Sequence, residues 1–417
     1  MVELAVVLVV AALIALLARK HWWPFTRVSY VVSRHVGKPA ATLATVSRTF
    51  ATIDLPNIEG ALRQLAPNGR RHGVAAGLIS FHSEPLAKLL TGSSGVAGLK
   101  TDSIEVGFGQ TMVCMVNGIV LIDRPVKAVV YVHREDMLNK LEVEVASEDP
   151  AASEAILKQI VDSCGGSSVY KGQIISVSCD RLANRGGQCL SLLFNPPTTV
   201  QASDLILPPE ILDLIRRNTV GFFESVDRLR SLGMSVKRGL LLYGRPGTGK
   251  TMTAKWIAGS VPGLTTFFLS ADQLFLIKDC CQMARMLAPA MIVLEDVDLV
   301  ARDRGEEENI HSRITLNQLL NEMDGIADNT GVLFLMTTNR ADELEQALAG
   351  RPGRVDQAIE YPLPDETRRK DLLDRYLRGI PAGQLDLDDI VARTEGVPPA
   401  FGPRASPQSR LPFRPRR

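Results

Sequence analysis

The sequence has no C-x-x-C pair, no H-E-x-x-H and no excess of either charge. Its six cysteines are Cys114, Cys164, Cys179, Cys189, Cys280 and Cys281. Without paired spacing they form neither a zinc ribbon nor a dithiol redox motif, and they read as reduced thiols. The six histidines are scattered, which leaves no helical zinc pair of the metalloprotease kind. Lysine and arginine total 47 against 46 acidic residues, a net charge of +1. A broadly basic footprint is therefore missing, and nucleic acid is not an expected partner. No internal repeat recurs.

What is present is a folded composition. Apolar residues make up 45% and charged residues 22%, which excludes a wholly disordered, collagenous or polytopic membrane chain. A length of 417 residues exceeds what one hydrophobic core usually holds, so two domains are expected.

Residues 4–18 are fifteen residues without a charge, followed by Arg19, Lys20, Trp22 and Trp23. As a helix rising ~1.5 Å per residue this run covers about 22 Å, shorter than the ~20 residues of a usual span. Three readings stay open: a membrane anchor over residues 1–24, an apolar helix packed on the protein, and a signal peptide. The last fits least, because no basic residue precedes the run. As an anchor, with the tryptophans at headgroup level, it makes the chain a single-pass membrane protein. Arg19, Lys20, Arg27 and Arg34 then hold the rest on the cytoplasmic or equivalent side.

Residues 25–195 carry no catalytic motif and read as an α+β substrate or assembly domain. Residues 110–116 and 119–123 flank Asn117-Gly118, a hairpin turn signal. Residues 128–133 and 141–146 have strand character, 150–164 helical spacing, and 168–179 extended character. Asn195-Pro196-Pro197-Thr198-Thr199 reads as a linker. Beyond it, Pro208 and Pro209 precede a helix with Ile211, Ile215, Phe222, Val226 and Leu229 on one face. Short apolar strands at 239–243, 265–269, 291–294 and 332–337 then alternate with helices. That alternation predicts an α/β fold, a parallel sheet covered by helices.

Gly244-Arg245-Pro246-Gly247-Thr248-Gly249-Lys250-Thr251 follows one of these strands and opens a helix, with Met252 next. It satisfies G-x-x-x-x-G-K-[ST] in the required context, a nucleotide phosphate loop. Its glycines let backbone N–H groups converge on phosphates, and the helix N-terminus adds positive potential. Lys250 reaches the β- and γ-phosphates of ATP, and the Thr251 hydroxyl ligates Mg²⁺. Residues 291–294 end in Glu295-Asp296. A carboxylate there holds Mg²⁺, assigned to Glu295, and its neighbour Asp296 polarises the attacking water. The third strand leads to Thr338-Asn339-Arg340, where Asn339 orients that water. Gly350-Arg351-Pro352-Gly353-Arg354-Val355-Asp356 follows; two arginines three apart suit a clamp on phosphoryl charge.

In this order the motifs resemble the AAA ATPase family over about residues 200–400, and Leu319-Leu320-Asn321-Glu322-Met323-Asp324-Gly325 matches a further stretch of that family. The resemblance implies a homo-oligomeric ring, hexameric or heptameric, with nucleotide between subunits. Arg351 and Arg354 match the arginine fingers that reach a neighbour's γ-phosphate. Glu295-Asp296 reverses the usual Asp-Glu order. With Val297-Asp298 after it, and with an anchor and an α+β domain ahead, it is similar to the mitochondrial inner-membrane AAA translocases that move the folded Rieske iron–sulfur protein. The absence of H-E-x-x-H argues against the family's membrane zinc proteases. The segment Leu274-Phe275-Leu276-Ile277-Lys278 lacks the glycine of the family's threading loops, and Phe275 reads equally as pore or core.

The expected division is residues 196–365 for the ATPase core, 366–400 for a partial helical lid and 401–417 for a tail. The tail has four prolines and five arginines in seventeen residues and forms no amphipathic helix. It reads either as a truncated or frameshifted end or as a basic tail. The function implied is ATP hydrolysis driving remodelling or translocation of a protein client at a membrane. The alternative is a nucleotide-dependent assembly scaffold with little turnover, which the shorter Asp296 and the incomplete lid favour.

Overall fold

The computed structural model describes residues 27–75, 84–135, 140–179, 190–299, 318–325, 330–340, 355–377 and 386–401. Residues 4–18, Arg351, Arg354 and the tail beyond 401 lie outside the described residues. No helix among the described residues is long and apolar enough to cross a membrane. Two compact units are formed, one from Met1–Tyr170 with Cys179–Ser191, the other from Lys171–Ser178 with Leu192–Arg417.

The first unit contains α1 (Val28–Val36), β1 (Ala44–Ala51), α2 (Leu55–Leu65), β2 (Arg71–Val74), α3 (Leu86–Thr91), β3 (Val96–Ala97), β4 (Lys100–Gly107), β5 (Gln110–Ile122), β6 (Ala128–Glu135), β7 (Lys140–Ser147) and α4 (Pro150–Ser163). Its antiparallel sheet runs β1-β7-β6-β5-β2-β3, with β4 also on β5. Period-2 alternation sends side chains to opposite faces. Val130, Val132, Val143 and Val145 pack with α2 and α4 on one face, while Val129, Tyr131 and Ala146 pack with α1 and α3 on the other. This is an α+β unit.

Asn117-Gly118 is not a turn. β5 runs through it, with Asn117 opposite both Lys100 and His133. A Cβ on Gly118 would sit 2.7 Å from the His72 carbonyl oxygen and 2.8 Å from Met115 Sδ, so this glycine serves a close approach within the strand. The actual turn is at Phe108-Gly109, where Gly109 has φ +66°.

The second unit contains β8 (Ile174–Cys179), β9 (Leu190–Phe194), α5 (Pro209–Asn218), α6 (Val220–Ser231), β10 (Lys237–Tyr243), α7 (Lys250–Ser260), β11 (Thr265–Ser270), α8 (Ile277–Met286), β12 (Ala290–Glu295), β13 (Val332–Thr338), β14 (Gln357–Glu360), α9 (Glu366–Tyr376) and α10 (Leu387–Arg393). Its sheet has the order β14-β10-β13-β12-β11-β8-β9. The pairs from β14 to β8 are parallel. Central strands of such a sheet are covered on both faces and must be apolar throughout; β13 is buried at every position. β8, from the stretch 168–179 expected to be extended within the first domain, lies instead in this sheet, together with β9, which was not expected as a strand. Buried Ile175 and Val177 supply β8 with core side chains, and the Pro196-Pro197 segment follows β9 rather than separating the two sheets. The expected single helix after Pro208 is two, α5 and α6, broken at Thr219 (φ −121°, ψ −80°). Ile215, Phe222 and Val226 are buried in the core as its apolar face requires. Leu274 and Leu276 are buried in a short 3₁₀ turn, with Phe275 half-buried between them.

Candidate functional site

The site stands at the carboxyl ends of β10, β12 and β13, where parallel α/β sheets bind ligands. Gly244 leaves β10 at φ +146°, and a Cβ there would lie 2.5 Å from the Tyr361 carbonyl oxygen, so no side chain fits. Gly247 takes the left-handed region at φ +81°, which bends the loop into α7. The first N–H groups of α7 have no helical partner and face the loop's concavity.

Lys250 opens α7 and is buried. Its Nζ donates to Gly244 O at 2.7 Å, Arg245 O at 3.1 Å and Asn339 Oδ1 at 2.9 Å. Burial lowers the ammonium pKa below the usual lysine range, against the opposing pull of Asp296 and Asp298. The loop thus holds its lysine ready by its own carbonyl groups.

Asp296 is the only non-glycine residue with positive φ (50°) among the described residues. Left-handed backbone costs a non-glycine residue about 1 kcal/mol, and such strain gathers at functional sites. The Asp296 N–H donates to Thr337 Oγ1 at 3.0 Å, and Asp296 Oδ1 accepts from Asn339 Nδ2 at 2.8 Å. Asn339 therefore bridges Lys250 and Asp296. Its own position is fixed by Asp298, whose side chain sequence reasoning left without a role. Asp298 Oδ1 accepts from Thr338 Oγ1 at 3.0 Å and from the Asn339 N–H at 3.1 Å, and the residue is 1% exposed. The only sequence signal for it was the Val297-Asp298 pair behind the acidic strand end.

A cavity of about 370 Å³ lies over the loop, lined by residues 246–252, Asp296 and Asn339. Leu205 to Leu207 also line it, as do Leu372 and Tyr376 of α9 and Pro399. At its rim Arg375 Nη2 meets Asp204 Oδ1 at 2.6 Å. Ala400 N–H donates to Gly247 O at 3.1 Å, joining the lid to the loop. Tyr361 Oη donates to Thr253 Oγ1 at 2.8 Å and ties α7 to the segment after β14. Asp356, the last residue of the R-P-G-R-V-D stretch, accepts from the Gly239 N–H at 2.8 Å and pins β14 to β10. Gly244 and Arg245 contribute carbonyl groups to Lys250 without lining the cavity. Glu295 does not line it either, but its Oε1 is buried without a hydrogen-bond partner. A bare carboxylate oxygen at this strand end needs a partner, and a divalent cation supplies one. The Thr251 side chain lines the cavity, and a hydroxyl and a carboxylate are both oxygen donors of the kind Mg²⁺ takes.

The sequence model of the family described as "ATPase family associated with various cellular activities (AAA)" matches residues 240–363. The chain carries an AAA ATPase domain. The matched span begins in β10 and ends just past β14, so it contains the phosphate loop, Glu295, Asp296, Asn339, Arg351 and Arg354. An AAA domain takes ATP with Mg²⁺, in agreement with the donors just described. Relatives include proteins named ATP-dependent zinc metalloprotease FtsH 3 from Synechocystis, 36% identical over 51% of this chain and 36% of the relative, and FtsH 3 from Sphaerobacter thermophilus, 34% identical over 58% and 50%. Another, named ATP-dependent zinc metalloprotease YME1L, from Drosophila melanogaster, is 37% identical over 43% of this chain and 25% of the relative. The chain thus spans half or less of the length of these curated relatives. No H-E-x-x-H occurs in these 417 residues.

Proposed function

We propose that the chain hydrolyses ATP through its AAA domain and uses the energy to remodel or translocate a protein client. The observation that carries this reading is the continuous hydrogen-bonded line Lys250–Asn339–Asp296 along one cavity wall. It joins a phosphate-binding cation to a carboxylate that can polarise water through the amide between them. Incoming phosphate oxygens replace Gly244 O and Arg245 O as acceptors for Lys250. That exchange frees the ammonium to follow charge as it develops on the transferred group. Asn339, held by Asp298, keeps its amide fixed, so little reorganisation is needed at the moment of reaction. Thr251 and Glu295 would hold Mg²⁺, which neutralises phosphate oxygens when bound. The adenine is placed against the apolar lining residues Leu205, Ile206, Leu207, Leu372 and Tyr376.

Arg351 and Arg354 act in trans in this reading, within a ring of six or seven copies. Residues 4–18 hold the ring at a membrane as a single-pass anchor, with the AAA domain on the cytoplasmic or equivalent side. The protein client is the family's kind of cargo, as in the translocases that share the Glu-Asp order.

Steady-state Mg·ATP hydrolysis by the full chain, beside Lys250→Ala, tests the reading. Turnover that disappears in the variant is expected. A second reading, a scaffold assembling on nucleotide with little turnover, has one observation in its favour: Lys250 and Asp296 are already satisfied inside the protein. ATP-dependent ring formation with no phosphate release from the wild-type chain would replace the first reading by the second.

A further inference from the structure

We propose that His133, Glu142 and Glu144, in the first unit and separate from the nucleotide site, form a site for a divalent transition-metal ion of the Zn²⁺ class. β6 and β7 pair so that His133 stands directly opposite Glu142, while Glu144 stands opposite Tyr131, two residues from His133 along its strand. All three side chains therefore leave the sheet on one face. His133 Nε2 is 3.3 Å from Glu144 Oε1 and 3.4 Å from Glu142 Oε2. Tetrahedral Zn²⁺ with bonds of about 2.05 Å places neighbouring ligand atoms about 3.3 Å apart, the same spacing.

The histidine supplies the second observation. Its side chain is 4% exposed, and neither ring nitrogen makes a hydrogen bond. A buried imidazole without a partner is rare and costly. Nε2 is aimed between two carboxylates, yet the geometry is not that of an N–H donated to either. No lysine or arginine among the described residues pairs with Glu142 or Glu144. The two carboxylates offer oxygens within 4.8 Å of each other, and with one of them 7% exposed they gain from a cation between them. A neutral imidazole with two carboxylates offers that cation a net charge of −2 and a mixed N/O ligand set. Such a set suits Zn²⁺ or its neighbours rather than Mg²⁺ or Ca²⁺, which take oxygen ligands.

The surroundings hold the ligands in place. The Leu86 N–H donates to Glu144 Oε1 at 2.8 Å, and the Tyr131 ring stacks on His133 at 4.6 Å with a 20° tilt. Tyr131 is itself held by Asn117, its Oη donating to Oδ1 at 3.2 Å. Glu142 is 39% exposed and opens one side to solvent, leaving a fourth position for water. A metal here clamps β6 to β7 and stabilises the first unit by its binding free energy.

The test uses the full chain stripped with EDTA, with Mg²⁺ in excess to fill the nucleotide site. Co²⁺ titration is followed by visible absorption, and Zn²⁺ binding by calorimetry. One Co²⁺ per chain with the intense bands of a four- or five-coordinate site is expected, displaced by Zn²⁺, together with a raised melting temperature. His133→Gln should abolish the bands, and Glu142→Gln should weaken binding at least about tenfold. Thr251→Ala should leave both unchanged. Because Glu142 is half-exposed, its variant keeps the test open if His133→Gln fails to fold. Absence of such bands in the wild-type chain, or bands that persist in both ligand variants, overturns the proposal.

Discussion

The two sheets handle polar groups in opposite ways. In the second unit β12 is apolar from Ala290 to Leu294 and β13 from Val332 to Met336, and the polar chemistry of these strands gathers at their carboxyl ends, at Glu295, Asp296, Asp298, Thr337, Thr338 and Asn339. The first unit keeps polar and ionisable side chains inside: Glu59, Asn57, His35, His133 and Glu144 are all buried. Glu59 Oε1 accepts from Arg63 Nε and Arg71 Nη1, both at 2.7 Å. Asn57 Oδ1 accepts from Ser168 Oγ at 3.0 Å and the Val169 N–H at 2.9 Å. A parallel sheet thus separates packing from chemistry, whereas this antiparallel sheet mixes them. Damage to a polar group should accordingly unfold the first unit and silence the second.

The sharpest break of that contrast is Glu59→Ala. It leaves two arginines facing an empty buried position and should destabilise the first unit by about 3–5 kcal/mol. Urea unfolding reads it, and a loss below about 1 kcal/mol would mean the buried ion network is not structural. Lys250→Ala should do the reverse. We expect hydrolysis to fall by about a hundredfold or more, roughly 2.7 kcal/mol of lost transition-state stabilisation, with melting unchanged or slightly raised. A variant that hydrolyses normally would remove Lys250 from the chemistry.

Asp298→Ala lies between the two behaviours. It removes an acceptor for two buried donors and should cost about 2–3 kcal/mol of stability. It also releases Asn339, so the turnover rate should drop more than the KM rises; an effect on stability alone would confine Asp298 to packing. The smallest expected effect is a pH slope. Burial raises the Asp54 carboxyl to about 6 from an ordinary 3.8. Between those values the folded chain keeps a proton that the unfolded chain has lost. The contribution of Asp54 to stability is therefore greatest below about pH 4, falls as pH climbs through about 6, and stays lowered above it. Asp54→Asn should stabilise the first unit at pH 7 by up to about 3 kcal/mol and have little effect near pH 4. An equal gain at both pH values would assign the benefit to something other than charge.

How much could be read beforehand follows the same division. β10, β11, β12 and β13 were legible because a strand buried on both faces must be an unbroken apolar run, and the phosphate loop because its spacing is rigid. Asp298 was not, since its role exists only where two strand ends meet. Nor was the lining by Leu372, Tyr376 and Pro399, which is contributed by side chains far from the loop in sequence. In the first unit Asn117-Gly118 carried the chemistry of a turn but served a close approach, a use that only the neighbouring strand reveals. The change of helix direction at Thr219 left no mark in the apolar spacing, because both helices bury the same kind of face.

One contact has a mechanical meaning. Ala400 donates its N–H to Gly247 O, and its methyl group occupies the space a side chain at 247 would need, 2.7 Å from that Cβ. The last described turn of the chain therefore works as a lever resting on the phosphate loop. By thermodynamic reciprocity, a ligand that strengthens this contact is itself bound more tightly, by the same free energy, when the contact is made.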